Sequence, residues 1–379
     1  MKRHLSAYLD NAISLLLLVV AGLTPLAFFN QTTEFFEMPK LIFLVVVTIL
    51  LLGLWIFSCI LKGKVAVTRT PLDIPLLILL VIVLISTYFS DSRFAAIYGN
   101  FPKVHGSAVS WVTYILLYFV AVSNIKSLAQ VRTVLYVLFG SAVITSLISL
   151  SSFFGAYLPF DFAKAVNFTP TGSSFSTIAF LLMMISFPVL SLLNPNKYLP
   201  APFALALSVL FGVTIVLLGS LSTYFALLIV FALCVFVTKP QQLRRSIGLF
   251  MVPVVAVILT LALAYVPSMP LNNLAANFPK EIQLPISDSW KVSASAFRDA
   301  PFIGTGPSTY LFNFTSYKPL EFNSRAFWNF SFDTANNEFL QFLGTLGILG
   351  LIALLLICAV VLNNSRKNLN ASMAEHNSQ

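Results

Sequence analysis

Ala335-Asn336-Asn337-Glu338-Phe339-Leu340-Gln341-Phe342-Leu343-Gly344-Thr345-Leu346-Gly347-Ile348-Leu349-Gly350 is the junction on which the fold of this chain turns. Before it, residues 267–337 are polar, aromatic and loop-like, and they cannot sit in lipid. After it an apolar run continues to about residue 362. Almost everything ahead of residue 267 is also hydrocarbon. Of the 379 residues, 58% are hydrophobic and 9% charged, against about 25% charged in a soluble domain. The composition is that of an integral membrane protein.

Working outward, about 20 apolar residues cross the hydrocarbon layer as a helix. By that measure the expected spans are 12–29, 39–61, 72–90, 108–123, 133–155, 174–193, 201–218, 221–238, 246–266 and 338–362. The expected fold class is all-α. Residues 1–379 form a single polytopic transmembrane bundle of about ten spans, with one large external loop, 267–337, between the last two. Met1-Lys2-Arg3 followed by apolar Ile13 to Phe29 reads as a retained first span, because the apolar run continues past any small-residue cleavage site.

Basic residues set the orientation. With ten alternating spans, Lys2, Arg3, Lys62, Lys64, Arg69, Lys126, Arg132, Lys197, Lys239, Arg244, Arg245, Arg366 and Lys367 share one side. The short loops on the other side hold Lys40, Arg93, Lys103 and Lys164. The expectation is a multi-pass protein of the cytoplasmic (inner) membrane with both termini cytoplasmic and residues 267–337 outside. The net charge of +9 is then topological, and no nucleic-acid partner is implied.

Several chemistries are excluded. Cys59, Cys234 and Cys358 lie in apolar runs, and His4, His105 and His376 have no ligand-like neighbours. No metal and no cofactor are expected. Residues 267–337 contain no histidine or cysteine for nucleophilic catalysis. They do contain Lys280, Lys291, Arg298, Lys318 and Arg325 among Trp290, Tyr310, Phe312, Phe314, Tyr317, Phe327, Trp328, Phe330 and Phe332. Cations beside aromatic rings suit an amphiphile with a phosphate and sugar rings. The aromatics equally suit plain interfacial anchoring. Asn336, Asn337 and Glu338 read as a helix start that caps free amides and complements the dipole. Gly344, Gly347 and Gly350 read as a close-packing face, and Gly304-Thr305-Gly306-Pro307 as a turn.

Together these segments resemble the bacterial O-antigen ligase and O-antigen polymerase family. The family turn stands here as Ala300-Pro301-Phe302-Ile303-Gly304-Thr305-Gly306, and its helix start as Asn336-Asn337-Glu338-Phe339-Leu340. Gly347-Ile348-Leu349-Gly350 follows, and Thr70-Pro71-Leu72-Asp73 and Tyr98-Gly99-Asn100-Phe101-Pro102-Lys103-Val104-His105-Gly106 extend the likeness to the first half. The chain departs from the family pattern in four places. Asn336 stands where the family has histidine, Lys103 where it has an arginine, Ser222-Thr223-Tyr224 where it has Ser-Arg-Gly, and no arginine precedes Trp290.

The resemblance implies metal-independent transfer of an undecaprenyl-diphosphate-linked glycan to a glycan, lipid or protein acceptor, with membrane lipid around it. Arg298, Asn336 and Arg325 are the candidate catalytic residues. Lys103, Lys318, Trp290, Trp328, Asn337 and Glu338 are the candidate substrate contacts. A family member that binds lipid-linked glycan without transferring it is an alternative. A membrane carrier is a weaker one, since the spans hold almost no charge.

Overall fold

The computed structural model describes residues 2–29, 34–64, 67–100, 104–194 and 199–377. Among these the chain is all-helical, with no β-strand. In order the α-helices are α1 (Lys2–Leu23), α2 (Glu37–Lys62), α3 (Asp73–Phe89), α4 (Arg93–Tyr98), α5 (Ala108–Asn124) and α6 (Leu128–Phe153). They continue as α7 (Ser174–Leu193), α8 (Ala201–Leu218), α9 (Leu221–Val237), α10 (Pro240–Tyr265) and α11 (Asn272–Asn277). The last are α12 (Ile286–Asp299), α13 (Tyr310–Tyr317) and α14 (Glu338–Asn377).

Among the described residues seven helices, against the ten spans expected, are long and apolar enough to cross a membrane: His4–Leu23 in α1, then α2, α6, α7, α8, α10 and Glu338–Lys367 in α14. The apolar helices α3, α5 and α9 have 17 residues each, about 25 Å at 1.5 Å per residue. The side-chain distribution is that of a protein surrounded by hydrocarbon. Phe236 is 84% exposed, and Ile74, Leu221 and Phe94 also point outward. The buried positions include many hydroxyls, among them Ser86, Ser110, Thr177 and Ser208. Small polar residues let helices approach closely where water supplies no driving force.

Helix starts follow local chemistry. Ser127 and Gln130 form a reciprocal capping box on α6, and Ser107 and Ser173 cap α5 and α7 through the backbone N–H groups of Ser110 and Ser176. Pro240 opens α10, where its missing N–H costs nothing. The Thr70-Pro71-Leu72-Asp73 stretch is itself a structural device. Thr70 donates its N–H to Asp73 Oδ2 at 2.9 Å and its hydroxyl to Asp73 Oδ1 at 2.7 Å, and the Tyr118 hydroxyl joins this group.

The contacts cluster into two compact units. One comprises Met1–Leu16, Glu37–Lys126 and Ile282–Gln379. In it α14 packs on α12 and α3, and α2 packs on α5; Lys62 pairs with Asp10 at 2.6 Å. The other comprises Leu17–Phe36 and Ser127–Glu281. Its core is the α7–α8–α10 contact around Leu181, Ile185, Phe211 and Ile215, and Phe28, Phe162 and Phe168 form an aromatic cluster edge to face. The division falls at Glu281/Ile282, so the segment 267–337 is shared between the two clusters.

Candidate functional site

Within the first unit, residues 282–337 are a folded subassembly rather than a loop. Its core is Leu284, Val292, Tyr310, Phe314 and Phe322, with Phe327, Phe332 and Ala335 packed against it. Phe314 and Phe322 meet edge to face at 5.4 Å. Of the aromatics expected at the surface, Tyr310 and Phe314 are therefore buried in this core. Trp290 and Trp328 are exposed, at 58% and 57%.

The subassembly is locked to α14 through a helix break. Gly347 sits at φ 65°, ψ −162°, a conformation open to glycine and strained for other residues. In an unbroken helix the N–H groups of Ile348 and Leu349 would bond to Gly344 and Thr345. Here they donate to the carbonyls of Pro301 and Phe302, at 2.9 and 3.2 Å. The two released carbonyls are recovered. Thr345 O accepts from the N–H of Gly306 at 2.9 Å. Gly344 O accepts from Thr305 Oγ1 and from Asn313 Nδ2, each at 3.2 Å.

The Pro301–Gly306 turn thus replaces a missing piece of helix hydrogen bonding, which an apolar environment makes obligatory. The sequence reading of Gly344, Gly347 and Gly350 as a packing face holds for Gly344, where an added Cβ would lie 3.3 Å from Ser293 Cα on α12. It does not hold for Gly347, whose added Cβ would meet Phe302 O at 2.6 Å.

The start of α14 is fixed by two asparagines with different tasks. Asn337 is the cap: its Oδ1 accepts from the N–H of Leu340 at 3.0 Å. Gln341 Oε1 reaches back to the N–H of Ala335 at 2.7 Å. Asn336 faces the other way. Its N–H donates to Ser289 Oγ at 3.0 Å and its Nδ2 donates to the Leu284 carbonyl at 3.0 Å. Ser289 in turn shares a hydrogen bond with the buried Tyr310 hydroxyl at 3.2 Å, and burial pushes that phenol above its usual range. Glu338 is exposed in the first turn of α14, where its charge complements the dipole.

The cations divide sharply. Arg325 Nε lies 2.9 Å from Asp288 Oδ2, and Asp288 is 2% exposed; a buried carboxylate requires such a partner. Lys318 donates to the Trp328 carbonyl at 2.6 Å and sits 4.9 Å above the Phe322 ring. Lys291 pairs with Glu321 at 3.2 Å. A hydrogen bond from its own backbone N–H, then Lys291, hold the Glu321 carboxyl below its ordinary value. Arg298, in the last turn of α12, is exposed and has no hydrogen-bond or ion-pair partner among the described residues. Next to it, Asp299 accepts from the Tyr317 hydroxyl. Lys103 lies outside the described residues.

The structure therefore joins Asn336, Arg325, Lys318 and Trp328 to one folded body, and leaves Arg298 and Trp290 on its surface. Eight residues apart on α12, the last two lie within about 80° of one another around the helix axis. Asp288, Ser289, Thr305 and Asn313 escaped the sequence reading. Serine, threonine and asparagine in an aromatic segment give no signal until their partners are known. Among the described residues no group of His, Cys, Asp and Glu is placed to hold a metal ion.

Residues 206–355 match the sequence profile of a family described as O-antigen ligase. This stretch runs from α8 through the subassembly and past the break in α14. No curated protein matches the chain.

Proposed function

We propose that this chain, a member of the O-antigen ligase family through residues 206–355, transfers an undecaprenyl-diphosphate-linked oligosaccharide or polysaccharide to an acceptor at the outer face of the cytoplasmic membrane. Arg298 carries the reading. It is the cation of residues 282–337 that no carboxylate or carbonyl engages among the described residues, and it stands exposed beside the turn that closes the break in α14.

A diphosphate leaving group needs cations to hold the charge that develops on its bridging oxygen. Arg298 supplies a bidentate fork, and Lys103 a second positive charge. Trp290 and Trp328 offer exposed rings to the sugars. Asn336 positions the acceptor hydroxyl, and Asn337 and Glu338 shape the wall beside it. Arg325 acts through Asp288, holding the stretch between residues 325 and 337 against α12, and Lys318 fixes the backbone at Trp328. The basic residues flanking the spans support an orientation with both termini cytoplasmic and this subassembly outside.

A second reading is favoured by one observation. The Asn336 amide nitrogen is already committed to the Leu284 carbonyl, and an amide is no base near neutral pH. A protein that binds lipid-linked glycan without transferring it would tolerate that commitment. Purified full chain with labelled lipid-linked oligosaccharide and candidate acceptors separates the two. A new covalent product that disappears with Arg298→Gln supports transfer; saturable binding without product supports the binder.

A further inference from the structure

A groove of about 580 Å³ runs between α2, α3 and α5 in the first unit. Its walls are apolar apart from three threonines, Tyr88 and one arginine. Thr87 and Thr113 donate to the carbonyls of Val83 and Val109 in their own helices, each at 2.7 Å. Thr48 does not: its hydroxyl is buried, at 2% exposure, and has no hydrogen-bond partner among the described residues. At one end Arg93 lines the groove, its guanidinium 5.4 Å from the centre of the Tyr88 ring. No carboxylate pairs with Arg93 among the described residues.

The segment carrying Arg93 is fastened to the candidate site on both sides. Before it, Ser90 Oγ donates to the Thr305 carbonyl at 2.8 Å. After it, Asn100 Nδ2 donates to the Ser308 carbonyl, and Ser308 Oγ donates to the His105 carbonyl at 3.4 Å. The arginine end of the groove and the turn that seals α14 are therefore parts of one structure. On α2 and α5 the lining runs from Val45 to Leu52 and from Val109 to Leu116, about 10 Å at 1.5 Å per residue. That depth stays within one leaflet, about half of the 30 Å hydrocarbon core.

We propose that this groove seats the first part of the donor's polyprenyl chain and that Arg93 binds the phosphate nearest that chain. The inference rests on the transfer reading above. A guanidinium with no carboxylate partner among the described residues, at the end of an apolar slot, fits an anionic head on a hydrocarbon tail, and the bonds of Ser90 and Asn100 tie that end to the turn at residues 305–308. A phospholipid shares the chemistry but has no reason to be drawn to the turn.

Binding of labelled undecaprenyl phosphate to the full-length protein in zwitterionic nanodiscs tests this, with undecaprenol and phosphatidylglycerol as comparison ligands. Arg93→Gln is expected to weaken undecaprenyl phosphate about tenfold or more, the scale of a lost charge-assisted hydrogen bond, and to leave undecaprenol unchanged. Thr48→Phe, which plugs the groove, is expected to weaken both, and Val112→Phe does the same from the α5 wall if Thr48→Phe fails to fold. Wild-type affinity in Arg93→Gln and in either groove-filling variant overturns the proposal. So does competition by phosphatidylglycerol as strong as that of unlabelled undecaprenyl phosphate. Binding with these sensitivities but no glycan transfer retains the groove and removes the transfer reading; transfer that neither substitution alters removes the groove alone.

Discussion

The N–H of Ile348 donates to the carbonyl of Pro301 at 2.9 Å, although the two residues are 47 positions apart and helix geometry offers Ile348 a partner four residues back. This one displaced hydrogen bond joins the turn at residues 301–306 to the last apolar helix, and the shape of the candidate site depends on it. Each half of the joint needs a glycine, at 304 and at 347, both with positive φ.

Gly347→Ala is expected to be strongly destabilising. The new Cβ would meet Phe302 O at 2.6 Å and Gly304 N at 2.7 Å, and alanine disfavours φ 65° by roughly 1–2 kcal/mol before any clash. A total loss of about 3 kcal/mol or more should appear as a large fall in Tm in detergent. Gly53→Ala is the control: an added Cβ there has nothing within 4 Å, and helix propensity favours alanine by about 1 kcal/mol.

Arg325→Gln leaves Asp288 buried without its counter-charge. The expected cost is about 2–3 kcal/mol, at the low end for a broken buried pair because Arg325 is 37% exposed. Adding Asp288→Asn should recover most of it. A double-mutant cycle by thermal unfolding measures the coupling, and additive losses would show that the pair does not act as one.

Asn336→Asp is expected to cost more than Asn336→Ala. The Nδ2 donor that meets the Leu284 carbonyl at 3.0 Å becomes a carboxylate oxygen facing a carbonyl oxygen. Losing the bond costs about 1 kcal/mol and opposing two acceptors adds a further 1–3 kcal/mol. Equal melting temperatures for the two variants would mean that this hydrogen bond does not hold the start of α14.

Arg298→Gln separates activity from stability. The side chain is exposed and unpaired among the described residues, so Tm should change by less than about 0.5 kcal/mol equivalent. Transfer should fall by a factor of roughly 10² or more if the guanidinium stabilises the departing diphosphate. Lys291→Gln, which removes an exposed pair with Glu321, should leave transfer nearly intact.

Tyr317 gives a pH signature. Its hydrogen bond to Asp299, with burial and the charges of Asp299 and Asp91, holds the phenol above its usual value near 10. A folded pKa raised above the unfolded one contributes stability that is complete below about pH 10 and lost as pH rises through the folded value. Wild type should therefore lose more Tm than Tyr317→Phe on titration above about pH 10. Parallel alkaline curves would contradict the bond to Asp299.

Much of the architecture was legible from residue order. The apolar runs expected to span are mainly helical among the described residues, and seven of these helices are long and apolar enough to cross, because such runs have few other ways to satisfy their backbone in lipid. Ser107, Ser127 and Ser173 cap helices as their type dictates. The candidate site was legible only as an inventory. Arg298, Lys318 and Arg325 are indistinguishable as letters in a polar segment, yet among the described residues the first has no partner, the second holds a backbone carbonyl and the third pairs with a buried aspartate.

By itself, then, the sequence determined an all-helical chain with several helices apolar enough to cross a membrane. Those properties follow from composition and local periodicity, which act over a few residues. Tertiary structure decided that Gly347 breaks its helix, that Asn336 turns toward Leu284 while Asn337 caps, and which cation has no partner among the described residues. Those outcomes depend on carbonyls and carboxylates many tens of residues away in the chain. Only the folded protein brings them within hydrogen-bonding distance.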